Sequence, residues 1–159
     1  MRKAPMEILL GGLDDPKVQA LLIHHTHRAR AVTPPGSSHA LDLAGLRVDS
    51  VTFWSAWQDQ ELVGVGALKL LSEDHGEVKS MHTVEARRHE GIGSAMLLHI
   101  IAAARSKGLT RLSLETGSFD HFLPARALYR KHGFVECPPF GDYRPDVNSV
   151  FMTLSLTSP

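Results

Sequence analysis

Apolar residues recur along the chain with two alternating periods, and these outline a fold before any motif is sought. A short apolar run at Glu7–Leu10 fits one strand. Val18, Leu21 and Leu22 then fall at helical spacing within residues 15–30. The segment Thr33-Pro34-Pro35-Gly36-Ser37-Ser38 ends that helix, because proline lacks the N–H the helix needs and its ring clashes with the preceding turn. Ser38 is placed to cap a second helix, with Leu41, Ala44 and Gly45 following before Val48. Residues 51–57 are rich in β-branched and aromatic side chains, and a second apolar run at 62–70 follows the polar turn Gln58-Asp59-Gln60. Together they predict a hairpin. Residues 77–84 predict a third strand, in which a period of two sets Glu77, Lys79, Met81 and Thr83 on one face.

From Gly91 the period lengthens. Ile92, Met96, Ile100 and Ala103 form one stripe of a helix reaching Lys107, with Gly108 as its stop. Residues 109–116 read as a strand again. Pro124 suits the first turn of a helix running to His132, carrying Ala125, Leu128 and Tyr129 at helical spacing and ended by Gly133. Alternating Val150, Met152, Leu154 and Leu156 close the chain as a strand. The order is mixed α/β, with a hairpin before a strand-helix-strand unit.

Length and composition narrow the class. At 159 residues the chain suits one domain over residues 1–159, with no repeat, low-complexity tract or linker to divide it. Lys plus Arg total 17 and Asp plus Glu total 17, so no general field gathers nucleic acid or an anionic membrane, and any anion site must be local. Cys137 is the one cysteine and forms no internal disulfide. The start Met1-Arg2-Lys3-Ala4-Pro5 leads into no signal-like apolar segment, and no apolar stretch nears the roughly 20 residues that span a bilayer. A soluble, cytoplasmic protein is expected.

The strand ending near Val84 is followed by a polar turn and a glycine-bearing helix start. Backbone N–H groups in a helix's first turn lack partners, and they and the helix dipole favour negative charge, so this turn is a candidate phosphate site. Gly91 and Gly93 carry no side chain to block a pyrophosphate, while Arg88 and Ser94 add a charge and a hydroxyl. Other phosphate loops fit worse, since Gly-Lys-Ser/Thr and the third glycine of a dinucleotide fingerprint are both missing.

Arg88-x-x-Gly91-x-Gly93, between a strand and a long amphipathic helix, resembles motif A of the GNAT superfamily of N-acetyltransferases. Downstream, Ala125-Arg126-Ala127-Leu128-Tyr129-Arg130-Lys131-His132-Gly133-Phe134 is similar to that family's Ala-x-x-Leu-Tyr-x-x-x-Gly-Phe segment. His89-Glu90 stand where many members have Gly or Arg-Gly, and Phe122 stands where the second motif often begins with Asn. The resemblance implies a GNAT fold: a mixed α+β domain with a central twisted sheet of about six to seven strands flanked by about four helices. It also implies acetyl-CoA as co-substrate, bound by Arg88, His89, Glu90, Gly91, Ile92, Gly93 and Ser94, with backbone groups at Met81, His82 and Thr83 pairing with the pantetheine.

Acetyl transfer to an amine needs a deprotonated amine, donors for the developing oxyanion and a proton for the leaving thiolate. By the resemblance, Glu77 sits where some members carry a general-base glutamate, and Tyr129 where a phenol often stands near the coenzyme's sulfur. The plainer reading of Glu77 is a surface glutamate at a strand start, and of Tyr129 a half-buried packing tyrosine. Glu115 and Ser118, ending a central strand, are candidates for holding the acceptor, as is Arg144 in the loop of residues 140–148 through bidentate pairing with a carboxylate.

His24, His25 and His27 lack the spaced partners of a metal site and read as a solvated helix end, and the ten histidines show no zinc spacing, so no metal is expected. Cys137 reads as a bystander, since direct transfer needs no thiol nucleophile. The expected acceptor is a small-molecule amine, with a protein amine as an open option. Neither nucleic acid nor a membrane is an expected partner, and the expected state is a monomer or homodimer. The alternative is a non-catalytic acyl-CoA-binding or partner-binding module that kept the fold.

Overall fold

A computed structural model describes residues 5–32, 43–88 and 90–157. The Pro-Pro-Gly loop, the Ser38 cap, Leu41 and His89 lie outside the described residues. In chain order the elements are β1 (Glu7–Leu10), α1 (Pro16–Val32), α2 (Leu43–Leu46), β2 (Val51–Gln58), β3 (Glu61–Leu70) and β4 (His75–Thr83). There follow α3 (Ile92–Ser106), β5 (Arg111–Gly117), α4 (Leu123–Lys131), β6 (Val135–Glu136) and β7 (Ser149–Ser155). They build one seven-stranded mixed sheet of order β1-β2-β3-β4-β5-β7-β6, with the helices against its faces. The expected α+β architecture is present.

The β2–β3 hairpin forms where the polar turn predicts it. Gln58 pairs with Glu61 across a two-residue loop, and Asp59 and Gln60 both have positive φ, at 52° and 65°. That is the conformation whose twist matches the flanking strands. The connection from β4 through α3 to β5 makes the one parallel pairing among the described residues, as a strand-helix-strand unit should.

Two apolar layers cover the sheet. On one face, the predicted stripe of Ile92, Met96 and Ile100 packs with Leu97, Leu112, Leu114, Phe134 and Met152 beneath α3 and α4. On the other, Val18, Leu22 and Leu46 from α1 and α2 cover Phe53, Val65 and Ala67. Each such buried aliphatic or aromatic side chain contributes roughly 1.5–3 kcal/mol, so the two layers fix the sheet between its helices.

One expectation fails, and its failure shapes the site. Ala67 pairs with Lys79 while Val65 pairs with His82, so β4 carries one extra residue there, and Ser80 has φ 53°. This bulge reverses the inside-outside alternation, because an added residue shifts every later side chain to the opposite face. Glu77 and Lys79 do share a face, but His82 joins them, whereas Met81 and Thr83 turn toward α3. Met81 packs on the α3–α4 core, and a Cβ at Gly93 in α3 would lie 3.7 Å from Thr83 Oγ1.

Candidate active site

The parallel strands β4 and β5 pair only at His75–Arg111, Gly76–Leu112 and Glu77–Ser113. Beyond those pairs β4 stays joined to β3 and β5 to β7, so the sheet opens between its two central strands. The bulge at Ser80 lies just past the last pair, and bulges bend and twist the strand that carries them. Backbone near Met81 and Thr83 therefore borders a gap, with α3 and α4 on one side of it and the loop of residues 140–148 on the other.

On the loop side, Glu77 is not the surface residue of the plainer reading: it is 2% exposed. Its Oε2 accepts a hydrogen bond from the Tyr143 hydroxyl at 2.6 Å and another from Lys79 Nζ at 3.3 Å. Lys79 Nζ also donates to the Tyr143 oxygen at 2.9 Å. Burial, then the Glu77 charge, holds the Tyr143 phenol well above its ordinary range, so it stays a donor. Its ring sits 5.2 Å from that of Phe140 and 5.4 Å from that of Phe151, which seats the loop on β7.

Glu115 lies two residues beyond Ser113, the in-register partner of Glu77, and so shares the face of Glu77 and borders the opening. Burial pushes its carboxyl up to about 7, the charge of Lys79 opposes that shift, and Glu77 and Asp146 add to it. The Ser149 hydroxyl lies close enough to temper the shift, yet it is buried and has no ordinary-length hydrogen-bond partner among the described residues.

On the helix side, Tyr129 of α4 is 8% exposed and packs against Phe134. Burial, then the nearby Glu115 charge, pushes its phenol up to about 12. The charge of Glu115 thus reaches Tyr129 across the opening.

At the mouth, α3 begins at Gly91 in the left-handed conformation, φ 82°, with no side chain capping the helix. The first helix-closing bond runs from Ala95 N–H to the Gly91 carbonyl, so the N–H groups of Ile92, Gly93 and Ser94 have no partner within the helix. A Cβ at Gly91 would meet nothing within 4 Å, whereas one at Gly93 would lie 3.1 Å from Leu128 Cδ2. The first glycine faces open space and the second lets α3 pack on α4. The Glu90 carboxylate is held at 3.0 Å by Arg87, which offsets its charge, and Arg88 is left exposed. These features fit a pyrophosphate: free donors, an unblocked approach and an exposed guanidinium.

The remaining expected site residues are placed as follows. The Ser118 hydroxyl donates to the Val147 carbonyl at 2.8 Å and its N–H to the Asn148 carbonyl at 3.1 Å, tying the loop to the end of β5. Arg144 is exposed, and the loop delivers Tyr143 to the sheet instead. Ser94 Oγ lies 3.0 Å from His132 Nε2, a partner the sequence did not suggest. Also unforeseen is Arg126, buried within α4, whose Nη1 donates to the Gly117 and Phe119 carbonyls at 2.6 and 3.1 Å. An arginine on the apolar side of a short helix was the available signal. His25 is not a solvated helix-end residue. Its ring lies 4.3 Å from that of His82, and burial, then the positive fields of His121, His24 and Arg88, lowers it to about 4. Burial raises the Cys137 thiol, which makes it a poor nucleophile at neutral pH.

A mixed sheet opened between two parallel strands, with a helix start facing the gap, is shared with solved acyltransferases. A Klebsiella pneumoniae structure described as a candidate acyl-CoA N-acyltransferase matches it with a TM-score of 0.81 at 30% identity, covering 96% of this chain and 98% of that one. A Bacillus subtilis acetyltransferase solved in complex with CoA shares the fold, with a TM-score of 0.72 at 20% identity over 96% of this chain and 100% of its own. In sequence, the uncharacterized N-acetyltransferase YedL of Escherichia coli is 49% identical over 144 residues, 91% of each chain. The Acetyltransferase (GNAT) family profile matches residues 20–134, and the chain belongs to that family of acyltransferases.

Proposed function

We propose that this enzyme transfers an acetyl group from acetyl-CoA directly to the amine of a small molecule. The observation that carries the reading is the opening between β4 and β5, with Tyr129 on its helix side and the carboxylates Glu77 and Glu115 on its loop side. Acetyl-CoA would supply the activated acetyl thioester. The N–H groups of residues 92–94, with Arg88 beside them, would hold its pyrophosphate, and His89 and Glu90 would complete that turn. The β4 backbone at Met81, His82 and Thr83 would hold the pantetheine where β5 no longer pairs with β4.

Tyr129, protonated at working pH, would give its hydroxyl proton to the departing thiolate. A carboxylate of the Glu77–Glu115 pair would take the ammonium proton. A loop face on which Glu77, Glu115 and Asp146 gather around Lys79 favours a positively charged acceptor. Arg144 and Ser118 would border the outer part of that pocket. We place the enzyme in the cytoplasm as a one-domain monomer or homodimer that needs no metal and binds neither nucleic acid nor membrane.

The test is thiol release from acetyl-CoA over a panel of amines, with CoA binding followed by calorimetry. Amine-dependent release supports the reading. CoA binding without release for any amine would instead mark a binding module.

A further inference from the structure

The geometry points to Glu115, rather than Glu77, as the group that takes the proton from the acceptor ammonium, with Glu77 serving to hold Tyr143 and its loop over the acceptor face. This assignment rests on the acetyltransferase reading. Access is the first ground. Glu77 is 2% exposed, lies in the last β4–β5 pair and already accepts two hydrogen bonds on Oε2. A proton taken there would go to a carboxylate already engaged by the Tyr143 hydroxyl and Lys79, at a position with almost no exposed surface. Glu115 is only half-buried and stands past the last pair, where β5 borders the opening.

Position relative to the acid is the second ground. Glu115 is the carboxylate whose charge reaches Tyr129 on the far side of the sheet. An amine beside Glu115 and a thioester beside Tyr129 would therefore meet within the opening. The groups that face Glu115 are Glu77 and Lys79 from β4, Asp146 and Tyr143 from the loop, Ser149 from β7 and Tyr129 from α4. Their balance places its proton uptake near neutrality, where a base exchanges a proton with an ammonium most readily.

In the transfer, the ammonium N–H bond breaks and its proton goes to a Glu115 oxygen. The freed nitrogen lone pair forms the bond to the acetyl carbon, the C–S bond breaks with its electron pair going to sulfur, and Tyr129 gives its proton to that sulfur. The new amide nitrogen gives up its remaining extra proton to solvent. Glu115 then returns its proton to solvent, and Tyr129 recovers one. No oxidant or reductant is needed.

The test compares Glu115→Gln and Glu77→Gln with wild type in two measurements. Carbon-detected NMR titration of glutamate carboxyls in the unliganded enzyme should show one group titrating near pH 7 that disappears in Glu115→Gln and persists in Glu77→Gln. The pH profile of kcat/KM for the best amine should fall on the acid side through the same value. Glu115→Gln should remove that limb and lower kcat/KM about 10²-fold or more at pH 7, less at alkaline pH, with CoA affinity unchanged. Glu77→Gln should keep the limb and raise the acceptor KM. An acid limb lost in Glu77→Gln but kept in Glu115→Gln, or no carboxyl titrating above pH 5, overturns the assignment. Absence of CoA binding and of thiol release in wild type would instead overturn the acetyltransferase reading, whatever the titration shows.

Discussion

Tyr143 donates its hydroxyl to Glu77 at 2.6 Å although 66 residues separate them in the chain. This bond joins the loop before β7 to the middle of β4, and Lys79 closes the triangle with bonds to both oxygens. A buried carboxylate is costly unless it is paired and hydrogen-bonded, so the three groups depend on one another. Removing only the hydroxyl, as in Tyr143→Phe, takes away the shorter of the two hydrogen bonds that Glu77 accepts and leaves the one from Lys79. The expected cost is about 1–3 kcal/mol in urea unfolding, together with a raised acceptor KM and an unchanged CoA dissociation constant. Loss of CoA affinity equal to the loss for the acceptor would mean that the loop does not belong to the acceptor side.

Gly91→Asp should separate folding from cofactor binding. The position has φ 82° and open space around its Cβ site, so aspartate, which tolerates this conformation better than most residues, costs on the order of 1 kcal/mol in the protein alone. Its carboxylate would then stand at the helix start where pyrophosphate is expected. Circular dichroism should stay native while the CoA-induced rise in melting temperature disappears. A folded variant that binds CoA normally would remove the phosphate site from this turn.

Tyr129→Phe keeps the ring against Phe134 and removes one oxygen. With its phenol held near about 12, wild-type Tyr129 remains a proton donor through the working range. Turnover should drop about 10²-fold, the lower end for a lost general acid because a thiolate leaves readily, while calorimetry finds the same CoA affinity. An unchanged turnover under conditions where chemistry limits the rate would leave Tyr129 as a packing residue.

His25 makes the fold sensitive to acid. Its folded value is lowered to about 4 against an ordinary 6.5, so between these values the unfolded chain binds a proton that the folded chain refuses. Stability from this group is therefore complete above pH 6.5 and declines as pH falls toward 4, by up to about 3 kcal/mol. Thermal melts across that window should show a shallower loss in His25→Gln than in wild type. Parallel pH profiles for the two proteins would remove His25 as the cause.

What the sequence determined by itself is what local chemistry encodes. Hydrophobic periods place β1 to β5, β7, α1, α3 and α4 within about two residues of their observed ends, since period and turn residues act over only a few positions. The two-residue β6 is too short to show a period, and no expectation covered it. Gly108 and Gly133 end their helices, and Asp59-Gln60 turns the hairpin, for the same reason. The glycine-bearing start of α3 and the Ala-x-x-Leu-Tyr segment lie contiguous in the chain, so the family could be read from them directly. The tertiary structure alone decided which carboxylate is buried and which borders the opening. Glu77 and Glu115 look alike as strand glutamates, and only the meeting of β4, β5 and the Tyr143 loop gives them different neighbours. It also decided the faces of Met81 and Thr83, because the bulge at Ser80 comes from pairing with β3, and no alternation along β4 itself announces an extra residue.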